Sequence, residues 1–212
     1  MVKWQWFDKR FLLKHLWPIV TWLICVISGL IFAISTNHGY LNIWFSQHYN
    51  PVLGRFFSYY TNLGQEWLLV PISLILLIWQ KNLTLLMRLS ATFILNTLIT
   101  VTLKFVIFDI NRPKVVLEKF NLIFTEGVEI HSYNSFPSGH TSAAFALAMA
   151  ISFWFDTRSV SFLAISLAIL VGISRIYLQQ HFMEDVLAGA IIGFISAVLA
   201  SSLHWESKHH AQ

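Results

Sequence analysis

The chain has 212 residues, of which 56% are hydrophobic and only 11% charged, with nine tryptophans and eighteen phenylalanines. That composition lies outside the range of soluble globular domains and points to one membrane-embedded domain over residues 1–212. The net charge of +4 comes from scattered basic residues, which argues against a nucleic-acid partner. A single cysteine, Cys25, excludes a disulfide framework or a cysteine-built metal site within one chain.

Lys3, Lys9, Arg10 and Lys14 stand among Trp4, Trp6, Phe7 and Trp17, a flank suited to a membrane interface ahead of a first predicted span at 19–35. This start also resembles a signal peptide, with Ala33-Ile34-Ser35 as a loose cleavage site, but the apolar run exceeds the roughly 7–15 residues of a signal. Residues 37–66 form a polar and aromatic connection with Pro51, Gly54 and Gly64, and have room for short interfacial helices. Residues 67–79 are intensely apolar but short for a span, so this segment must borrow from 63–66, tilt, or lie within a bundle. Lys81, Asn82 and Arg88 predict a turn at the opposite surface, followed by a third span at 89–108 with Lys104 near its end.

The longest polar loop covers 109–138. Spans at 141–155, 160–178 and 186–203 complete a predicted all-α, six-transmembrane-helix bundle, and the tail from 206 is polar. Small residues recur at helical spacing in the last three spans: Ser142, Ala146 and Ala150; Ala164, Ala168 and Gly172; Gly189 and Gly193. Such stripes let membrane helices pack closely and carry no chemistry of their own. Six spans put both ends on one side, together with Lys3, Lys9, Arg10, Lys14, Lys81, Arg88, Arg158 and Lys208. The other side holds Arg55, Lys104, Arg112, Lys114, Lys119 and Arg175. The larger basic set predicts cytoplasmic termini.

Pro137-Ser138-Gly139-His140 stands where the polar loop becomes an apolar helix. Proline then serine reads as a helix start, with Ser138 as the cap and Gly139 allowing close approach of a ligand. The free N–H groups of a first turn favour an anion, and His140 sets a titratable ring beside it. Topology brings Lys104, Arg112, Ser138, His140, Arg175, His181 and Asp185 to one membrane face. Three cations suit phosphate oxygens. His181 and Asp185, four apart, share a helix face, and a carboxylate on one ring nitrogen makes the other a better nucleophile. His140 then suits a general acid and base. Each residue also has an ordinary reading: Lys104 as a snorkelling lysine, Arg112, Arg175 and His181 as interfacial residues, Asp185 as a helix N-terminal acid. Their clustering at the edge of apolar spans favours function.

These segments resemble the signature of the type 2 phosphatidic acid phosphatase superfamily of membrane lipid phosphatases: Lys-x6-Arg-Pro, Pro-Ser-Gly-His, and Ser-Arg-x5-His-x3-Asp. Pro137 to His140 match completely, and Ser174-Arg175, His181 and Asp185 match with the family spacing. Seven residues instead of six separate Lys104 from Arg112-Pro113, an extra residue expected in the loop after the span. The resemblance implies a reaction without metal or other cofactor, through a phosphohistidine. In it His181 attacks phosphorus, Asp185 orients it, and His140 protonates the leaving oxygen and then activates water. Lys104, Arg112, Ser138, Gly139 and Arg175 would hold the phosphate of a phosphorylated lipid drawn from the bilayer. It also implies a multi-pass plasma (inner) membrane protein with its site on the periplasmic or outer side.

Phosphatidic acid, phosphatidylglycerophosphate, undecaprenyl pyrophosphate and lipid A phosphates all fit this expectation. A lipid phosphotransferase using the same histidine and a non-enzymatic lipid-phosphate binder or transporter are the alternatives. The soluble haloperoxidases of the superfamily do not fit the composition. His131 and Asn134 are read as loop-surface residues that can reach a head group, Glu66 as a pocket or interface residue, Asp109 as a partner for Arg112, and His209 and His210 as solvated.

Overall fold

The computed structural model describes residues 2–4, 9–65, 67 and 69–205. Its body is helical. After the short helix α1 (Lys9–Lys14) come α2 (Leu16–Ser35), α3 (Tyr40–Gln47), α4 (Pro51–Tyr60) and a 3-10 turn (Thr61–Gly64). Then follow α5 (Leu69–Gln80), α6 (Leu83–Thr102), α7 (Pro113–Val116), α8 (Gly139–Phe155), α9 (Arg158–Tyr177) and α10 (Met183–Ser201). Two three-residue strands, β1 (Val2–Trp4) and β2 (Leu203–Trp205), pair antiparallel with Lys3 opposite His204. The two ends of the described chain therefore meet on one side.

Among the described residues four helical segments are long and apolar enough to cross a bilayer: α2, α6 with its continuation to Ile107, α9 and α10. Helix α8, with 17 residues, and α5, with 12, are shorter than the roughly 20 residues that a full span takes. The interfacial helices expected between 37 and 66 are α3 and α4. Asn50 caps α4, accepting from the N–H groups of Val52 and Leu53 through Oδ1, and Pro51 supplies the first helical φ. The predicted turn at 81–88 is tighter than expected. Lys81 is left-handed (φ 49°), Asn82 caps α6 by accepting from Thr84 and Leu85, and Arg88 lies inside the helix.

Helix α8 is the centre, packed against α6, α9 and α10 and buried along most of its length. The small-residue stripes make this possible. A Cβ added at Gly193 would stand 2.5 Å from the Ser142 carbonyl oxygen and 2.6 Å from the Ala146 nitrogen; one at Gly189 would stand 2.7 Å from the Ser138 oxygen. Helices α8 and α10 thus touch backbone to backbone, which is how membrane helices gain packing where lipid gives no hydrophobic drive. Polar ties add direction. Ser142 on α8 donates to Asn96 of α6 and accepts from Thr100 at 3.2 Å, while Trp22 of α2 donates to the Ala190 carbonyl of α10 at 3.2 Å. Ile94, Leu98, Val101 and Phe105 are exposed along the outer side of α6, the pattern of a lipid-facing surface.

Gly193→Ala is expected to lower stability by about 1–3 kcal/mol, the usual cost of overpacking. The check is a reduced melting temperature of the detergent-solubilised protein.

Candidate active site

Helix α9 ends at Tyr177, and the chain turns through Gln179, left-handed at φ 58°, before α10 begins at Met183. His181 sits in that turn, 1% exposed. Asp185, in the first turn of α10, gathers three groups on Oδ2. It accepts from the Ser135 hydroxyl at 2.6 Å and the Phe182 N–H at 2.9 Å, and it faces His181 Nδ1 at 3.4 Å. The helix N-terminal acid and the histidine partner are thus the same carboxylate. The 3.4 Å separation exceeds the usual 2.7–3.2 Å, as is common in sites that tighten on their substrate. With Nδ1 toward the carboxylate, Nε2 points away from it. Burial lowers the His181 pKa well below its ordinary value, and the nearby positive charges of Arg175, Arg112 and Lys104 lower it further, so the ring is neutral.

Arg175, in the last turn of α9, donates from Nη1 to Thr61 Oγ1 at 3.0 Å, while its buried Nε has no partner among the described residues. A buried guanidinium N–H without an acceptor suits an anion. Arg175 and His140 together line a cavity of about 960 Å³ whose walls come from α4, the 3-10 turn at Thr61–Gly64 and residues 124–129. Gly64 lies so close to α8 that a Cβ there would stand 2.5 Å from the His140 carbonyl oxygen. His181 is close enough to His140 for their charges to interact.

Arg112 is more committed to the protein than its motif suggests. Nε donates to the Tyr133 carbonyl at 2.8 Å, Nη1 to the carbonyl and side-chain oxygens of Gln180 at 3.2 and 3.1 Å, and Nη2 to the Asn134 carbonyl at 3.3 Å. These bonds leave one of its five N–H groups for a ligand. Asp109 is exposed and is not the partner expected for it. The main chain around Arg112 is also fixed: Arg112 N–H donates to Ser132 O, and Ser135 N–H to Ile110 O, joining the two ends of the long loop.

The extra residue after Lys104 is taken up in the helix instead of the loop. Leu103–Ile107 is a π-helical turn, closed by the Phe108 N–H on Leu103 O at 2.9 Å, five residues back. Such a turn holds one residue more than an α turn. Lys104 remains close enough for its charge to act on both His181 and Asp185.

Ser138 occupies the N-cap position of α8 but does not cap it. Its hydroxyl pairs with Thr141 Oγ1 at 2.9 Å, and its N–H donates to the Asp185 carbonyl at 3.0 Å. Ser138 thereby ties the start of α8 to the start of α10, and the first-turn N–H groups of α8 are left to a ligand. The fold brings His140, Arg175, His181, Asp185 and Lys104 within electrostatic reach, with Arg112 and Ser138 holding the frame. His131 is exposed beside Glu129, 3.7 Å away, and Asn134 contributes its carbonyl to Arg112. Glu66, His209 and His210 lie outside the described residues.

Three contributors carry no sequence signal: Ser135 on Asp185, Thr61 on Arg175, and Gln180, which accepts from Arg112 and donates to the Glu129 carbonyl at 3.0 Å. Among the described residues no group of three or more His, Cys, Asp or Glu side chains is placed to hold a metal ion.

A family model described as the PAP2 superfamily matches residues 85–209, more than half of the chain. The chain is 38% identical to a probable lipid phosphate phosphatase 4 of Arabidopsis thaliana over 111 residues, 46% of this chain and 34% of that protein. It is 35% identical to the putative undecaprenyl-diphosphatase YbjG of Escherichia coli over 77 residues, 36% of this chain and 38% of that protein. The matched part thus spans little more than a third of these relatives' length. The crystal structure of Aquifex aeolicus LpxE superposes with a TM-score of 0.67 at 29% identity, covering 76% of this chain and 92% of that one.

The neutral His181 predicts a pH dependence of stability. Unfolded, the imidazole takes up a proton near pH 6.5, whereas folded it does so only at lower pH. The unfolded state therefore binds more protons below about pH 6.5, and stability falls as the pH drops. The melting temperature in detergent is expected to fall from pH 7 toward pH 5.5, and to fall less in His181→Asn.

Proposed function

Because the chain belongs to the PAP2 superfamily, we propose that it is an integral membrane phosphatase that removes phosphate from a lipid phosphate or lipid pyrophosphate through a phosphohistidine. The observation that carries this reading is the neutral His181, held against Asp185 and beside the Arg175 and His140 that line the cavity.

The reaction follows from these groups. Arg175 Nε, the remaining Arg112 N–H, Lys104 and the first-turn N–H groups of α8 neutralise the phosphate, which otherwise repels a nucleophile. The lone pair on His181 Nε2 attacks phosphorus while the bond to the lipid oxygen breaks and His140 delivers a proton to that oxygen. The lipid leaves as an alcohol, or as a monophosphate when the substrate is a diphosphate. His140, now neutral, takes a proton from water as the water oxygen attacks phosphorus. The P–N bond then breaks, and its electrons return to His181. Asp185 stabilises the positive ring in both steps, and the carboxylate keeps its place through Ser135 and the Phe182 N–H. No metal or cofactor takes part in this scheme.

The same reading places α2, α5, α6, α8, α9 and α10 as six spans of the plasma membrane, with α5 and α8 set within the bundle despite their length. The pairing of the two chain ends supports an even number of crossings. The larger basic set on the side of the termini supports cytoplasmic ends and a site on the outer face.

His181→Ala is expected to abolish phosphate release from phosphatidic acid, phosphatidylglycerophosphate, undecaprenyl pyrophosphate and lipid A in detergent, and chelator is expected to leave the unmodified protein active. Release unchanged by the substitution would sink the reading. Ser135→Ala is expected to lower kcat roughly tenfold with little change in KM, since it removes one hydrogen bond to the charged carboxylate, worth about 1.5 kcal/mol or more.

A further inference from the structure

The turn that carries His181 is held from outside by a helix with no part in the scheme above. Gln179 stands in that turn at φ 58°, in the left-handed region that glycine enters freely and a side chain seldom does. A glutamine there needs something to offset the strain, and α3 supplies it. Gln179 Nε2 donates to the Asn42 carbonyl at 2.9 Å, and Asn42 Nδ2 donates to Gln179 Oε1 at 3.1 Å. The same Nδ2 donates to the His181 carbonyl at 3.2 Å. Asn42 and Gln179 are both 1% exposed, although they stand 137 residues apart in the chain.

Chemistry fixes the direction of both amides. The His181 carbonyl can only accept, so Asn42 turns Nδ2 toward it. Gln179 must then offer Oε1 to Asn42, which leaves Nε2 for the Asn42 main chain. Turning either amide over would set acceptor against acceptor, so the three bonds form one self-consistent latch.

Helix α3 is a firm arm for that latch. Ile43 packs against Leu117 and Phe182, the Phe45 ring lies 5.2 Å from that of Tyr177 at the end of α9, and Ser46 Oγ accepts from the Ile123 N–H at 2.7 Å. On the other side of the turn, the Arg175 carbonyl accepts from the N–H groups of Gln180 and His181 at 2.9 and 3.3 Å. The His181 main chain is thus gripped twice, through its N–H by Arg175 and through its carbonyl by Asn42. A further tie to the same segment is weaker: His38 Nδ1 lies 3.0 Å from Glu184 Oε1, but both side chains are about half exposed and water screens the pair.

Resting on the phosphatase reading above, we propose that Asn42 and Gln179 are positioning residues that aim His181 at phosphorus. Neither touches the substrate. Asp185 orients the ring, and the latch fixes the main chain from which the ring projects. Without the latch the turn relaxes and Nε2 leaves the line of attack, and a displacement of about 1 Å costs on the order of a hundredfold in rate. The phosphate is held by Arg175, Lys104 and the start of α8, none of which bonds to Asn42, so substrate binding changes little.

The test measures kcat and KM for phosphate release by the full chain in mixed micelles, on whichever of the four lipids named above it hydrolyses fastest. Each variant is assayed well below its own melting temperature. Asn42→Ala is expected to lower kcat about tenfold or more with KM within about threefold. Gln179→Gly relieves the left-handed backbone, so strain alone would leave kcat unchanged, whereas the latch requires a loss of about fivefold or more. The double variant is expected to lose at least about threefold less than the product of the two single losses, because both break one latch. His38→Gln is expected to keep kcat within about twofold, since its ion pair is exposed. Unchanged kcat in Asn42→Ala, a rise in KM alone, single losses that multiply, or an equal loss in His38→Gln overturns the positioning role and leaves the phosphatase reading standing. If Asn42→Ala does not fold, kcat and KM of Gln179→Gly decide by the same criteria.

A protein that releases no phosphate from any of these lipids fails the phosphatase reading instead. The latch is then decided by the rate at which diethyl pyrocarbonate modifies His181, read by peptide mass spectrometry. A rate about threefold or more faster in Asn42→Ala than in the parent chain, and unchanged in His38→Gln, supports the latch, and equal rates in all three overturn it.

Discussion

One carboxylate oxygen organises this site. Asp185 Oδ2 takes the Phe182 N–H and so starts α10, takes the Ser135 hydroxyl and so anchors the long loop, and faces the ring of His181. The Asp185 main chain adds a fourth tie by accepting from the Ser138 N–H at the start of α8. Two segments far apart in sequence, residues 135–138 and 181–185, are therefore fixed relative to one imidazole. Such a shared acceptor is costly to bury unless fully partnered, and here each surrounding donor also meets a structural need.

That node works only because α8 and α10 approach at backbone distance. Gly189 sits against the Ser138 carbonyl and Gly193 against Ser142 and Ala146. A larger residue at either position would separate the two helix starts that Asp185 and Ser138 join. The Asn96, Ser142 and Thr100 ties then set α6 against α8 one turn before Lys104, so the lysine is aimed by the same packing. The membrane interior supplies little net drive for helix association, so these close contacts and polar ties carry the arrangement.

The arginines divide the labour. Arg175 keeps a buried N–H without an acceptor among the described residues, whereas Arg112 uses most of its donors on the carbonyls of Tyr133, Asn134 and Gln180 and the Gln180 side chain. Burial lowers the Arg112 pKa from its ordinary value, with Asp185 partly offsetting this, and a guanidinium remains charged under those conditions. Arg112 therefore brings positive potential to the site while it holds the loop in place, and Gln180 passes that order on to residue 129. A motif residue can thus be both an electrostatic element and a structural clamp.

The sequence alone determined the membrane class and the positions of the apolar helices. Apolar length, small-residue spacing and fixed motif intervals are local properties of a chain. They bring His140, Arg175, His181 and Asp185 to one membrane face, and in the structure these four lie within electrostatic reach of one another. Only the tertiary structure decided what each group touches. Ser138 bonds Thr141 and Asp185 instead of capping its own helix, Arg112 turns from Asp109 to three carbonyls, and the residue added after Lys104 is wound into a π turn. Ser135, Thr61 and Gln180 were illegible for the same reason: a hydroxyl or amide acquires its role from the partner that distant segments bring to it, and no interval along the chain encodes that partner.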